Sequence, residues 1–454
     1  MIQLFLVFSL VAVNLDKVGS FGSWLTLLYF GGAIAVVLPL RRKIAAPTLA
    51  LVALVGVLAV ALIRAQYTRE LSNVVSGLWF PATIVLMAAF VILAFSTPSD
   101  ASNHRARGLA VAFAPAVYVA TNFALYFSSV LPPQPNPYPQ QAELLAFLGI
   151  QRDRTSFPLA TGINAFGDVS CAGLAMSLVV CTRASGRTRG WAAVSAAICF
   201  SGALFADTRT AIVAALAAPL MVAILRTVGP RRRGAAWVLP AVSAVAVPLS
   251  ALIIPRLLSL LNGLGAGLYF SRSGDNFVTA SGRTYIWDPV VQWLSHPRLE
   301  NVFGDGAYGH VTSGVSRSYS YLFTSSEDFY SSTHTVHNVG LQLILDVGYV
   351  GLGVFIAATT WALLGLSRST IQRTNFIDGA VLAGLLTVLL AGSTEGSPSI
   401  YLPETLYIFI TLAGWGLAVR EASAQRVLAP VEQPARREPP AVPRYAELPT
   451  GSTS

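Results

Sequence analysis

The stretch THTVHNVGLQLILDVGYVGLGVF, residues 333–355, opens polar and then turns almost continuously apolar, a character that persists to Leu366. About 20 apolar residues suffice to span a ~30 Å hydrocarbon core, so a membrane helix is predicted over residues 338–366. His334 and His337, two of only five histidines in 454 residues, sit where the chain turns apolar.

The rest of the chain repeats the apolar half of this pattern. It is 54% hydrophobic and 11% charged, with a mean hydropathy of +0.62. Soluble globular proteins carry roughly 25% charged residues, so less than half the usual charge is present. Further helices are predicted at 2–15, 18–40, 44–64, 77–96, 108–130, 163–182, 191–206, 208–226, 235–262, 377–394 and 401–419. The fold class is therefore an all-α polytopic membrane protein with about 12 transmembrane helices, or 11 if the short first run does not cross. The run from Ile2 to Leu15 lacks a basic leader and a small-residue cleavage site, so no cleavable signal is expected. Cys171, Cys181 and Cys199 all fall in apolar segments and form no even-numbered disulfide framework.

Lysine and arginine set the orientation. Arg41, Arg42, Lys43, Arg105, Arg107, Arg183, Arg187, Arg189, Arg226, Arg231, Arg232, Arg233, Arg368 and Arg373 occupy alternate connections. With Arg420, Arg426, Arg436, Arg437 and Arg444 they make 19 of the 30 basic residues, and by the positive-inside rule their side is cytoplasmic. The net charge of +9 follows from that bias and needs no nucleic-acid partner. The organisation expected is nine N-terminal helices in 1–262, a large extracytoplasmic loop over 263–336, three C-terminal helices in 337–420, and a cytoplasmic tail over 421–454. The tail is Pro-rich and without apolar period, a composition that stays disordered. Both termini are expected inside. No internal repeat is visible.

The positive-inside rule leaves 11 basic residues unexplained. Arg209, in FADTRTAIVAAL, falls in the first turn of a helix, where a cation opposes the helix dipole; either a carboxylate such as Asp207 neutralises it or an anion binds there. Arg283, in SGRTYIWDPVVQWL, precedes a short amphipathic segment with helical spacing at Trp287, Val291 and Leu294. Guanidinium groups bind phosphate oxygens bidentately, so a diphosphate ligand suits such a face. An ordinary solvated arginine or an Arg–Asp pair is the plainer alternative. His334 and His337 are i, i+3 and would share a helix face, with His310 or Glu327 as a conceivable third metal ligand. No H-E-x-x-H spacing supports zinc. The other readings are a structural histidine at a helix start, or a neutral imidazole acting as a base, since its unperturbed pKa near 6.5 suits proton transfer.

HNVGLQLILDVGYVGLGVF resembles the signature of the bacterial O-antigen ligase and polymerase superfamily, in which a His-Asn pair opens a helix continuing with Leu, an acidic residue, Gly and Gly-Leu. The matching residues are His337, Asn338, Leu341, Asp346, Gly348, Gly351 and Leu352. DTRTA resembles the family's Ser-Arg or Thr-Arg helix start, giving Arg209. SGRTYIW resembles its Gly-Arg…Trp motif and is followed by FGDGAYG in place of a Gly-x-Gly turn. RTSFPLATGINAFG resembles the segment before the middle helices. The likeness covers roughly residues 150–365; His334 is an extra histidine that the family pattern does not require. The resemblance implies a metal-independent, inverting glycosyl transfer needing no cofactor, at the outer face of a bacterial cytoplasmic membrane. The donor would be a glycan on undecaprenyl diphosphate, held by Arg209 and Arg283. His337 would take the proton from the attacking sugar hydroxyl, with Asn338 orienting a neighbour and Asp346 anchoring the helix through an internal pair. Polymerisation of lipid-linked repeats, ligation to lipid A-core or another acceptor, and, from a different class, a transporter or flippase are the activities kept in view.

Overall fold

The computed structural model describes residues 1–19, 21–40, 52–60, 74–96, 101–134, 141–232, 234–263, 282–322, 335–372, 375–399 and 402–428, and every extended element among them is a helix. The only strand-like pairing among the described residues is an isolated antiparallel bridge between Gln141 and Asp153. The N-terminal half contains α1 (Ile2–Ala12), α2 (Gly22–Val37), a helical run over 52–60, α3 (Val74–Ser96), α4 (Ala101–Phe127) and the short α5 (Glu143–Phe147). The middle of the chain forms α6 (Ile163–Arg183), α7 (Gly186–Ala206), α8 (Arg209–Val228) and α9 (Ala235–Gly263). Three short helices follow, α10 (Thr284–Leu294), α11 (Leu299–Phe303) and α12 (Gly309–Thr312). The C-terminal part is α13 (Val339–Gln372), α14 (Phe376–Gly392) and α15 (Pro403–Leu428).

The direction in which apolar side chains point identifies the solvent. On α8, Val213, Leu216, Leu220 and Ile224 recur at helical spacing and are all more than half exposed. Val238, Val242, Val245, Leu249 and Leu252, each at least 41% exposed, form a second stripe on α9. Apolar stripes this long facing outward are stable only against hydrocarbon. Among the described residues seven helices are long and apolar enough to cross a membrane, and Ile2–Ala12, Pro81–Ser96 and Phe376–Gly392 are shorter apolar helices. The chain is a helical membrane protein. The helix expected over 44–64 falls largely outside the described residues, as do the tail and much of the 263–336 loop.

Inside the bundle the pattern reverses. Helix α6 is buried on nearly all sides, flanked by α4, α7, α8, α14 and α15. Close approach needs small residues there: a Cβ on Gly173 would lie 2.5 Å from Pro115 Cβ on α4 and 2.6 Å from Cys199 Sγ on α7. Membrane helices associate through such contacts because lipid supplies little hydrophobic drive between them. At one end of the bundle, buried Asp378 on α14 accepts bonds from Trp415 Nε1 at 2.9 Å and from the Ser369 hydroxyl, with His104 Nε2 3.3 Å away. Arg183, Arg187, Arg189, Arg226 and Arg368 belong to this same end, at the termini of α6, α7, α8 and α13.

At the opposite end α13 is interrupted. Gly348 adopts φ 70°, ψ −175° within it, a conformation essentially confined to glycine. The carbonyls freed before the break are taken by the loop ahead of α12: Asp305 N donates to Leu345 O at 2.7 Å and Gly306 N to Asp346 O at 3.0 Å. A Cβ at Gly348 would sit 2.2 Å from Val302 O, so the loop backbone is laid directly on the helix backbone. This contact fixes the short N-terminal piece of α13, and with it the residues just before Val339.

Candidate functional site

His337 lies two residues before the start of α13, and its own backbone is left-handed, with φ 51°. That conformation is uncommon for a residue with a side chain and costs on the order of 1–3 kcal/mol, which the surroundings must offset. Asn338, fully buried, supplies the offset. Its Oδ1 accepts from Leu341 N at 3.0 Å, capping α13, while Nδ2 donates to Ser250 Oγ on α9 and Ser393 O after α14, each at 2.8 Å. On the other side, Trp287 Nε1 donates to Val336 O at 3.0 Å. Trp287 is one turn from Arg283, which gives the Arg…Trp spacing a physical sense: one residue pins the chain before His337 and the other reaches the site.

The two meet at Glu395, in the connection after α14. Arg283 Nη2 donates to Glu395 Oε1. His337 Nδ1 lies 3.4 Å from Oε2, and Asn164 Nδ2, from the first turn of α6, donates to the same oxygen at 2.8 Å. Burial opposes charge on Glu395, but Arg283, the hydrogen bond and charge of His337, and Arg154 outweigh it and hold the carboxyl below its ordinary range. It is thus an acceptor-only carboxylate on which Arg283, Asn164 and His337 converge.

Asn164 extends the cluster. Its Oδ1 accepts from Arg154 Nη2 at 2.7 Å, and Arg154 Nε donates to Ala206 O at 2.8 Å. Burial draws the Arg154 guanidinium below its ordinary pKa, against the pull of Glu395 and Asp207. One residue beyond Ala206 begins the group containing Arg209. Asp207, itself left-handed at φ 51°, accepts from Arg209 Nε at 3.3 Å and Nη2 at 3.2 Å, and from Glu143 N at 3.1 Å; Arg209 Nη2 also donates to Glu143 Oε2. Asp207, the carboxylate expected beside Arg209, is therefore one of its partners, and Glu143 is a second. The hydrogen bonds of Arg209 go to Asp207 and Glu143 rather than to Arg283 or His337; Arg154 and Asn164 connect the two groups. Arg154, Arg209 and Arg283 against Glu143, Asp207 and Glu395 form a cluster with three charges of each sign. The Arg209 side chain is 46% exposed and that of Arg283 20%.

Asp346 has a different role from an internal ion pair within its helix. Its Oδ1 accepts from Gly309 N and from Gln342 Nε2, each at 2.8 Å, and Gln342 Nε2 lies 3.1 Å from His310 Nδ1. Asp346 anchors the loop onto α13, and the FGDGAYG segment is the part so anchored. His310 is fully buried in that anchor. His334 and Glu327 lie outside the described residues. Among the described residues no three of His, Cys, Asp and Glu are grouped to hold a metal ion.

Sequence reasoning missed four members of the cluster: Glu143, Arg154, Asn164 and the linking role of Glu395. It also missed Asp168, 2% exposed on α6, one turn further along from Asn164. The Ser397 hydroxyl is beside Asp168, yet neither carboxylate oxygen has a partner in hydrogen-bonding geometry. An acid within an apolar helix is itself a signal of function. Glu404 resolves as structural: its two oxygens accept from Thr161 N and Thr161 Oγ1 at 2.8 Å each, tying down the segment before α6. No family profile, curated protein or solved structure matches the chain, so the family resemblance is carried by motif order alone.

Proposed function

We propose that this protein is a membrane glycosyltransferase that polymerises undecaprenyl-diphosphate-linked glycan units at the outer face of a bacterial cytoplasmic membrane. The single observation that carries the proposal is the joining of His337 and Arg283 through Glu395. Glycosyl transfer from a diphosphate needs a base for the incoming hydroxyl and cations where negative charge develops on the leaving group. Here an imidazole and a guanidinium are held on two oxygens of one carboxylate. In the reaction the acceptor O–H gives its proton to His337 while its oxygen attacks the anomeric carbon. The bond from that carbon to the diphosphate breaks, and its electron pair leaves with the diphosphate, stabilised by Arg283 and, further along the cluster, by Arg154 and Arg209. The helix N-termini of α6, α8 and α13 lie at this end, adding positive dipole ends.

The fuller topology belongs to the same proposal: about twelve spans, 263–336 outside, and both termini inside. The basic termini of α6, α7, α8 and α13 lie at the end away from the cluster, which supports this orientation. Ligation to lipid A-core or another acceptor uses the same chemistry and differs only in the hydroxyl offered. A transporter draws less support, because its site belongs near the midplane, whereas these charges gather at helix ends. The test is incubation of the purified protein with a defined undecaprenyl-diphosphate oligosaccharide, with and without a lipid A-core acceptor. Longer lipid-linked glycans support polymerisation, and transfer only when the acceptor is added supports ligation. No transfer to either refutes the proposal.

A further inference from the structure

Glu395 brings together segments that are far apart in sequence, yet the reaction as written uses it only as a link. Its geometry assigns it more. The carboxylate is 7% exposed and ionised, so it can only accept hydrogen bonds. Its neighbour His337 Nδ1, at 3.4 Å, must then carry the ring proton when the imidazole is neutral. The other ring nitrogen, Nε2, keeps the lone pair. The His337 side chain is 24% exposed, so the ring is open to an incoming group while its Nδ1 edge faces a buried acid.

We infer that Glu395 is a positioning residue that holds His337 as the Nδ1–H tautomer, so that Nε2 is the atom which takes the acceptor's proton. This rests on the glycosyl-transfer reading above and deepens it. The same carboxylate has a second task that explains why it must be an acid. Two donors, Arg283 Nη2 and Asn164 Nδ2, and the His337 Nδ1 edge converge on its two oxygens. An amide offers one oxygen and one NH2 group, so Glu395→Gln would turn an NH2 toward at least one of these groups. The imidazole, being the one member that can change its protonated nitrogen, would relieve the conflict by moving its proton to Nε2. In that form it has no lone pair for the hydroxyl. A backbone fixed at φ 51° by Asn338 and Trp287 limits any compensating movement of the ring.

The test has two arms. The first is ¹⁵N NMR of the imidazole nitrogens in histidine-labelled protein without substrate; with five histidines, comparison with His337→Gln assigns the signal. The wild-type ring is expected to be Nδ1-protonated when neutral, and a wild-type Nε2–H ring overturns the inference whatever the enzyme's activity. The second arm is kinetic. Glu395→Gln should lower kcat for glycan transfer on the order of 10²-fold or more, as loss of the orienting acid does in other imidazole-based catalysts. KM for the lipid-linked donor should change by no more than a few-fold, and the NMR signal should move toward the Nε2–H form. An unchanged kcat, or a loss confined to KM, overturns the positioning role. Absence of glycan transfer by the wild-type protein counts against the proposed function alone, because the NMR arm still decides the tautomer.

Discussion

Asn338 carries more of the site's geometry than a helix cap ordinarily would, and substitution there separates capping from positioning. Asn338→Ala removes the Oδ1 cap on Leu341 N, a loss of about 1 kcal/mol. It also strips a donor from the partly buried Ser393 O; an acceptor left without a partner away from water costs about 1–3 kcal/mol. Ser250 suffers less, because its hydroxyl still donates to Val247 O at 2.9 Å. The sum is about 2–4 kcal/mol. Asn338→Asp is the sharper variant. Aspartate caps helices as well as asparagine does, so a residue that only caps would tolerate the change. Here it would replace the Nδ2 donor by an oxygen facing Ser393 O, in a fully buried position, and Asp should be at least as damaging as Ala. Thermal unfolding followed with a thiol-reactive dye suits this protein, because Cys171 and Cys199 are buried in the bundle. Both variants should unfold several degrees earlier, and both should lose glycan transfer, since the left-handed backbone of His337 loses its support. An Asn338→Asp protein as stable as wild type would refute the reasoning, leaving Asn338 as a cap and nothing more.

Other perturbations test separate parts of the account. Arg283→Lys should lower turnover by tenfold or more because lysine cannot reproduce the planar fork, and Arg209→Lys should do less, its side chain being 46% exposed and paired with Asp207 and Glu143; equal near-normal rates would demote both. Gly348→Ala should destabilise by ~3 kcal/mol or more, combining a glycine-only conformation with overpacking against Val302 O, and limited proteolysis should then open the 302–309 segment; an intact segment would contradict the backbone-to-backbone contact. The carboxyl of Glu395, depressed below the ordinary 4.5 in the folded protein, contributes stability that is present above pH 4.5 and lost as pH falls through the lower folded value. The stability difference between wild type and Glu395→Gln should therefore not shrink from pH 7 to 5, and should shrink only below; shrinkage already at pH 6 would contradict it.

Local patterns in the chain carry some of this and long-range pairings carry the rest. The membrane class was legible because hydrocarbon selects composition and run length. Helix α10 was legible because Trp287, Val291 and Leu294 repeat at helical spacing. His337 was legible as a candidate because it is a rare histidine where the chain turns apolar, and Arg283 because the positive-inside rule leaves it unexplained. The acid that joins them was not, since Glu395 lies 58 residues from His337, 112 from Arg283 and 231 from Asn164. No periodicity links positions so far apart. Arg209 shows the same limit: Asp207 could be guessed as its partner from two residues away, but Glu143, 66 residues distant, could not. The glycines of FGDGAYG read as a turn, while their purpose, backbone lying on backbone at the break in α13, appears only once α13 is in place.

The central claim is that His337 acts as a base for a hydroxyl attacking a lipid-diphosphate glycan. Its most direct measurement is the rate of glycan transfer by His337→Gln beside wild type, at matched protein level, with donor binding followed separately. Glutamine keeps size and hydrogen-bonding capacity but cannot accept a proton at neutral pH. Donor binding should be retained while the rate falls by a factor on the order of 10²–10⁴; full activity in His337→Gln would rule out His337 as the base.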